Sequence, residues 1–114
     1  YGYDKLFNKK SEGVVQNFWR IAMQGSIKAH YDCIEAFSET DLREDLKQIT
    51  VPTLVLYGTA DEIVPPEICS QHTLKLLKHG VEEQIKGASH GLCTTHKNEV
   101  SFALKQFFAA GSVL

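Results

Sequence analysis

Five residues, Thr53-Leu54-Val55-Leu56-Tyr57, constrain this chain more than any others. The run is apolar on both faces and fenced by Pro52 before it and Gly58 after it. Proline disfavours helix at the residue that precedes it, and so short an apolar run between breakers reads as a strand. Burial of both faces is the habit of parallel sheets. Pro65-Pro66-Glu67 then opens a helix, proline being favoured in a first turn. Its apolar face is Ile68, Cys69, His72, Leu76 and Leu77, and His79-Gly80 is its C-cap. Val81 to Lys86 is a second strand, more polar and hence nearer an edge. After a loop from Gly87 to Thr95, a last helix from about His96 sets Val100, Ala103, Leu104, Phe107 and Phe108 on one side. Strand, helix, strand, helix is a right-handed βαβ crossover with one helix added, so the class is α/β with a mostly parallel sheet. Two parallel strands do not make a stable sheet alone. The second half of the chain is locally complete and short of neighbours.

Ahead of Pro52 the pattern is helical. Tyr1 to Lys10 has no period and reads as a loop. Ser11 N-caps a helix with Glu12 in its first turn, and Val14, Val15, Phe18, Trp19 and Ala22 lie on one face. Gly25-Ser26 ends that helix and caps another, whose face is Ile27, His30, Tyr31, Ile34 and Phe37. Asp41 with Glu44 forms a capping box for a short helix that turns Leu42, Leu46 and Ile49 inward. The acidic cluster Glu39, Asp41, Glu44 and Asp45 is a solvated helix start favoured by the helix dipole. Cys33, Cys69 and Cys93 are odd in number and unrelated in spacing, which argues for reduced, buried thiols and a cytoplasmic address. A net charge of −2 leaves no basic footprint for nucleic acid or an anionic membrane. No apolar stretch approaches the roughly 20 residues that span a bilayer. Residue 1 is Tyr rather than Met, which points to a fragment or a processed chain.

Chemistry concentrates in two loops. In open α/β sheets, functional groups gather beyond the carboxyl ends of the strands. The loop after the first strand, Gly58-Thr59-Ala60-Asp61-Glu62-Ile63-Val64-Pro65, offers Asp61. The loop after the second, Gly87-Ala88-Ser89-His90-Gly91, offers His90. Either residue alone is best read as a turn residue. Placed side by side by adjacent parallel strands, they can act together: the carboxylate holds the imidazole Nδ1–H, and Nε2 takes a proton from a nucleophile. Gly91 is expected to permit the tight turn after His90. His90, Cys93 and His96 have ligand residue types but no fourth partner at a zinc-like spacing, so no metal and no cofactor is expected. His72 and His79 are read as ordinary helix histidines.

Several stretches resemble the cofactor-free bacterial haloperoxidases and aryl esterases, which are α/β-hydrolases. They are His30-Tyr31-Asp32-Cys33-Ile34, Ala36 to Leu42, Asp45-Leu46-Lys47, Val51 to Val55, the Gly58-x-x-Asp61 turn with Val64-Pro65, and Ser89-His90-Gly91. The likeness runs along nearly the whole chain. It implies the C-terminal part of an α/β-hydrolase fold: a cap-like helical segment over residues 1–50, then the last two parallel strands with flanking helices over 51–114. It implies Asp61 as the triad acid and His90 as the base. Trp19 and Met23, on the cap-like helix, would line an acyl pocket, although a stripe at helical spacing is more often core. The family's nucleophilic serine and part of its oxyanion hole lie ahead of the cap, in a region this chain does not contain. Gly87 to Gly91 does match the Gly-x-Ser-x-Gly elbow letter for letter. An elbow, however, needs a central buried strand leading straight into a helix; Val81-Glu82-Glu83-Gln84-Ile85-Lys86 is too charged for one, and Leu92-Cys93-Thr94-Thr95 is expected to delay the helix.

Two functions follow as expectations. In the first, the residues supply acid and base to a serine α/β-hydrolase acting on a small ester or acyl substrate, with water or hydrogen peroxide as the second substrate. In the second, the isolated chain is a non-catalytic association module that dimerises or complements a missing N-terminal half, through the backbone edge its strand exposes.

Overall fold

A computed structural model describes residues 8–111 of the chain. Three helices come first: α1 (Asn8–Ala22), α2 (Ile27–Glu39) and α3 (Arg43–Gln48). They are followed by β1 (Thr53–Gly58), α4 (Ser70–Leu76), β2 (Gly80–Ile85), the single-turn α5 (Leu92–Thr95) and α6 (Lys97–Gly111). The two strands form a parallel sheet in which Thr53 lies opposite Gly80 and Gly58 opposite Ile85. The α/β reading of the second half holds, with α4 as the crossover between the strands.

Strand alternation explains the packing. Leu56 and Ile85 fall on one face and meet Ala88, Leu92 and Val100 of α6, which make the core cluster. Tyr57 falls on the other face; it is buried, and its hydroxyl donates to Glu82 Oε1 on β2. Glu82 also accepts from the Gln84 amide 2.8 Å away. The charges that mark β2 as an edge strand thus carry a cross-strand bond to the buried Tyr57, although five of the strand's six residues are exposed. Burial, with the Glu82 carboxylate beside it, pushes the Tyr57 phenol's pKa up.

Several element ends differ from the sequence expectation. Residues 1–7 of the expected N-terminal loop lie outside the described residues, and residues 8–10 are helical. Ser11 is therefore inside α1 rather than its cap, since the lysines ahead of it are good helix formers. Ser26 does cap α2, accepting from Ala29 N–H at 3.1 Å. Asp41 and Glu44 form no capping box. Asp41 instead takes the Arg43 backbone N–H and both arms of its guanidinium, at 3.0, 2.8 and 2.6 Å, and Leu42 becomes the N-cap of α3. The Asp41 carboxyl is held well below the usual carboxylate range by those bonds. The crossover helix starts at Ser70, not at Pro65-Pro66, because residues 66–69 form an irregular turn that ends with Cys69 at φ −116°, ψ −80°. Leu77, not His79-Gly80, is its C-cap, and Gly80 opens β2.

Burial is sparse. Thr53 to Leu56 are half-buried rather than enclosed on both faces, and α2 buries no residue at all. Ile27, Tyr31, Ile34 and Phe37, the apolar stripe of α2, are exposed, and so is Leu42. Cys33 and Cys93 are exposed and Cys69 is half-buried, all as free thiols, so the expectation of three buried cysteines does not hold in this chain. The accessible surface is 8828 Å². A compact monomer of 12.8 kDa would expose about 6,300 Å². The excess, on the order of 2,500 Å² for one chain, is comparable to one partner's share of a large obligate interface, which buries roughly 2,000–5,000 Å² over both partners.

Candidate active site

The two loops lie side by side beyond the carboxyl ends of β1 and β2, as their parallel pairing requires. Asp61 Oδ2 is 2.9 Å from His90 Nδ1. The other carboxylate oxygen, Oδ1, accepts from the backbone N–H groups of Ile63 at 3.0 Å and Val64 at 2.9 Å. The short chain turn after Asp61 wraps its own donors around the carboxylate, a local habit of Asp. The Asp61 side chain is only 8% exposed against 40% for His90. One partner is thus sheltered and held, and the other reaches outward.

Electrostatics favour the charged carboxylate. Burial raises the Asp61 pKa, but the Val64 N–H, the His90 ring and the Ile63 N–H lower it more, and the net shift is downward. An ionised carboxylate only accepts hydrogen bonds. When the ring is neutral, the proton in the 2.9 Å contact therefore sits on Nδ1, and Nε2 is the nitrogen that can take another. This tautomer is the one a general base needs.

Close backbone approach makes the geometry possible. A Cβ on residue 58 would run into the Ala88 carbonyl oxygen, so only glycine lets the loops meet there. Gly87 has φ 75°, a conformation glycine adopts without steric cost. Gly91 does not supply the special turn that the sequence suggests. Its φ of −83° is open to any residue, and it serves as N-cap of α5. The required glycine sits three residues before His90, not after it.

The helix expected only from about His96 in fact begins at Leu92 as the single turn α5, yet Ser89 does not have the setting of a nucleophile. Its Oγ is buried and makes no hydrogen bond among the described residues, His90 included. Its backbone is unstrained, since no described residue other than glycine has positive φ, whereas an elbow serine sits on a sharp, strained turn. Trp19 and Met23 lie in and just beyond the last turn of α1, with Met23 N–H donating to Trp19 O at 2.9 Å. They are 62% and 65% exposed, so neither is core, and α1 itself contacts α5 just after the His90 loop. His96 Nδ1 pairs with Thr95 Oγ1 at 2.9 Å. Among the described residues no three His, Cys, Asp or Glu side chains could hold a metal ion, and no helix is long and apolar enough to cross a membrane. Sequence reasoning misses the backbone donors on Asp61 and the bond that the Gly87 N–H donates to Thr59 Oγ1; only the Asp-led turn signals the first.

No protein-family model matches the chain. It is 46% identical over 110 residues to a non-heme chloroperoxidase of Burkholderia pyrrocinia, covering 96% of this chain and 40% of that protein. A bifunctional esterase/perhydrolase of Acinetobacter calcoaceticus is 44% identical over 107 residues, covering 94% and 39%. The crystal structure of a bromoperoxidase from Bacillus anthracis superposes with a TM-score of 0.83 at 39% identity, covering 87% of this chain and 36% of that one. Over nearly its whole length the chain is similar to the C-terminal part of non-heme haloperoxidases, and its fold is that part of an α/β-hydrolase. It matches the C-terminal part of these relatives and spans about two fifths of their length. The fold class read from the sequence, the last strands of an α/β-hydrolase with helices before and around them, stands.

Proposed function

We propose that Asp61 and His90 are the acid and base of an acyl-transfer site whose serine nucleophile lies outside these 114 residues. The observation that carries this reading is the 2.9 Å bond from the His90 ring to a carboxylate already held by two backbone N–H groups. That arrangement fixes the ring's tautomer and orientation and leaves a base at the outer nitrogen. In the first half-reaction the base takes the serine proton as Oγ attacks the ester carbonyl, and returns it to the leaving alcohol. In the second it takes a proton from the incoming molecule, which attacks the acyl-enzyme, and hands it back to the serine oxygen. Water as that molecule yields a carboxylic acid. Hydrogen peroxide yields a peracid, which can pass an oxygen atom to a halide. The esterase/perhydrolase and chloroperoxidase names of the relatives support a small ester substrate with both acceptors. Trp19 and Met23 are proposed for the acyl pocket, being apolar, exposed and at the end of the helix that meets α5.

A second reading has its own support. The excess of accessible surface and the bare stripe of α2 favour a chain that associates, with itself or with the remainder of a hydrolase core. One experiment addresses both: ester hydrolysis and sedimentation of the chain alone, and of the chain preceded by the N-terminal core of the Burkholderia pyrrocinia relative (the completed enzyme). We expect turnover from the completed enzyme only, and self-association of the chain alone. Equal turnover by both would place a nucleophile inside the 114 residues and overturn the reading of the site. A compact monomer at high concentration would remove the second reading.

A further inference from the structure

We propose that Thr59 is a positioning residue that sets the spacing between the acid loop and the base loop; this rests on the acid–base reading of Asp61 and His90. Thr59 is the first residue beyond β1, and it grips the other loop twice. Its N–H donates to Ile85 O at 3.1 Å, and its Oγ1 accepts from Gly87 N–H at 2.9 Å. The next residue, Ala60, donates its N–H to Ala88 O at 2.9 Å. Residues 59 and 60 are thereby tied to 85, 87 and 88, while Asp61 and His90 come one and two residues later on their respective strands of chain.

The side-chain bond is the part of this clamp that depends on residue type. It spans 28 positions in sequence and ends on Gly87, whose φ of 75° sets the path from β2 to His90. Ala88 beside it is fully buried, so the base loop is seated against the acid loop and not free to drift. Thr59 itself is exposed, and water can satisfy the Gly87 N–H if the hydroxyl is removed. Water replaces the hydrogen bond without fixing where Gly87 sits. Loss of the hydroxyl is therefore expected to leave the fold nearly unchanged and to loosen the Nδ1–Oδ2 contact, and acyl transfer is sensitive to small misplacements of its catalytic groups.

The test uses Thr59→Val, Thr59→Ala and Thr59→Ser in the completed enzyme. Valine keeps the shape without the acceptor, alanine removes the acceptor without a branched side chain, and serine keeps the hydroxyl. The expected result is a fall in kcat of about tenfold for Val and Ala, with KM and melting temperature held and Ser within about twofold of the parent, as for one lost hydrogen bond acting through geometry. In an Asp61→Asn background the same substitutions should add little, because they act through that pair. Wild-type kcat in both Val and Ala, a change confined to KM, or a Ser variant as impaired as Val would overturn the clamp. Asp61→Asn separates the two levels: if it is as active as the parent, the acid–base reading fails; if it is inactive while Thr59→Val is not, only the clamp fails.

Discussion

Replacing His90 with Gln is expected to lower kcat/KM for ester hydrolysis by the completed enzyme by about 1,000-fold or more. The glutamine amide can still donate to Asp61, so the loop keeps its main contact, but it offers no basic nitrogen to take the serine proton. The loss falls on kcat, because the ring is needed when the proton moves and not when the ester binds. The His90 side chain is 40% exposed and sits outside the core cluster, so the melting temperature should hardly change. Steady-state hydrolysis of a chromogenic ester, with a thermal melt of the same sample, gives both numbers. A thousandfold loss corresponds to about 4 kcal/mol of transition-state stabilisation, several times what one exposed contact could supply.

Asp61→Asn is expected to cost nearly as much, roughly 1,000- to 10,000-fold in kcat, through the imidazole tautomer. The asparagine carbonyl can accept from Ile63 and Val64 as Oδ1 does. Its amide then faces Nδ1 with a donor, and the ring must turn or carry its proton on Nε2, where a base is wanted. Stability gives an independent readout. The folded carboxyl has its pKa lowered: burial pushes it up, but bonds from Val64, His90 and Ile63 outweigh that. A lowered folded pKa means the ionised Asp61 stabilises the fold above its unfolded value, about 3.9, and the contribution is lost as pH falls through the folded value. Urea midpoints should therefore separate parent from Asp61→Asn most at neutral pH and converge on the acid side of the carboxylate range. A gap that widens on acidification would contradict the assignment of the carboxylate as ionised and bonded.

Much of the site is legible in the sequence where covalent constraints and short-range pattern coincide. Pro52 and Gly58 punctuate β1, and the polar Val81–Lys86 run announces an edge. Asp61 and His90 can be paired from their spacing alone, because adjacent parallel strands must deliver their following loops to one place. Helix starts are less legible. Asp41 has a good capping partner in Glu44 by spacing, yet the Arg43 guanidinium competes for the same carboxylate and wins two hydrogen bonds. Pro65-Pro66 suits a first turn by composition, but Cys69 breaks the backbone path. The Thr59–Gly87 bond joins residues 28 apart and leaves no local trace. Burial is the least legible of all. The apolar stripe of α2 is present as the periodicity indicates, and no described residue covers it; Ile27 is 90% exposed. Periodicity reports which face wants cover, not what provides it.

If these loops serve a nucleophile from elsewhere in the hydrolase, that nucleophile can be trapped. Labelling the completed enzyme with an alkyl phosphonate that captures activated serines, followed by peptide mass mapping, locates it. One adduct is expected, on a serine outside the 114 residues, formed rapidly in the parent and not in His90→Gln. An adduct on Ser89, or labelling that proceeds at the parent rate without His90, would contradict the assignment of Asp61 and His90 as its acid and base.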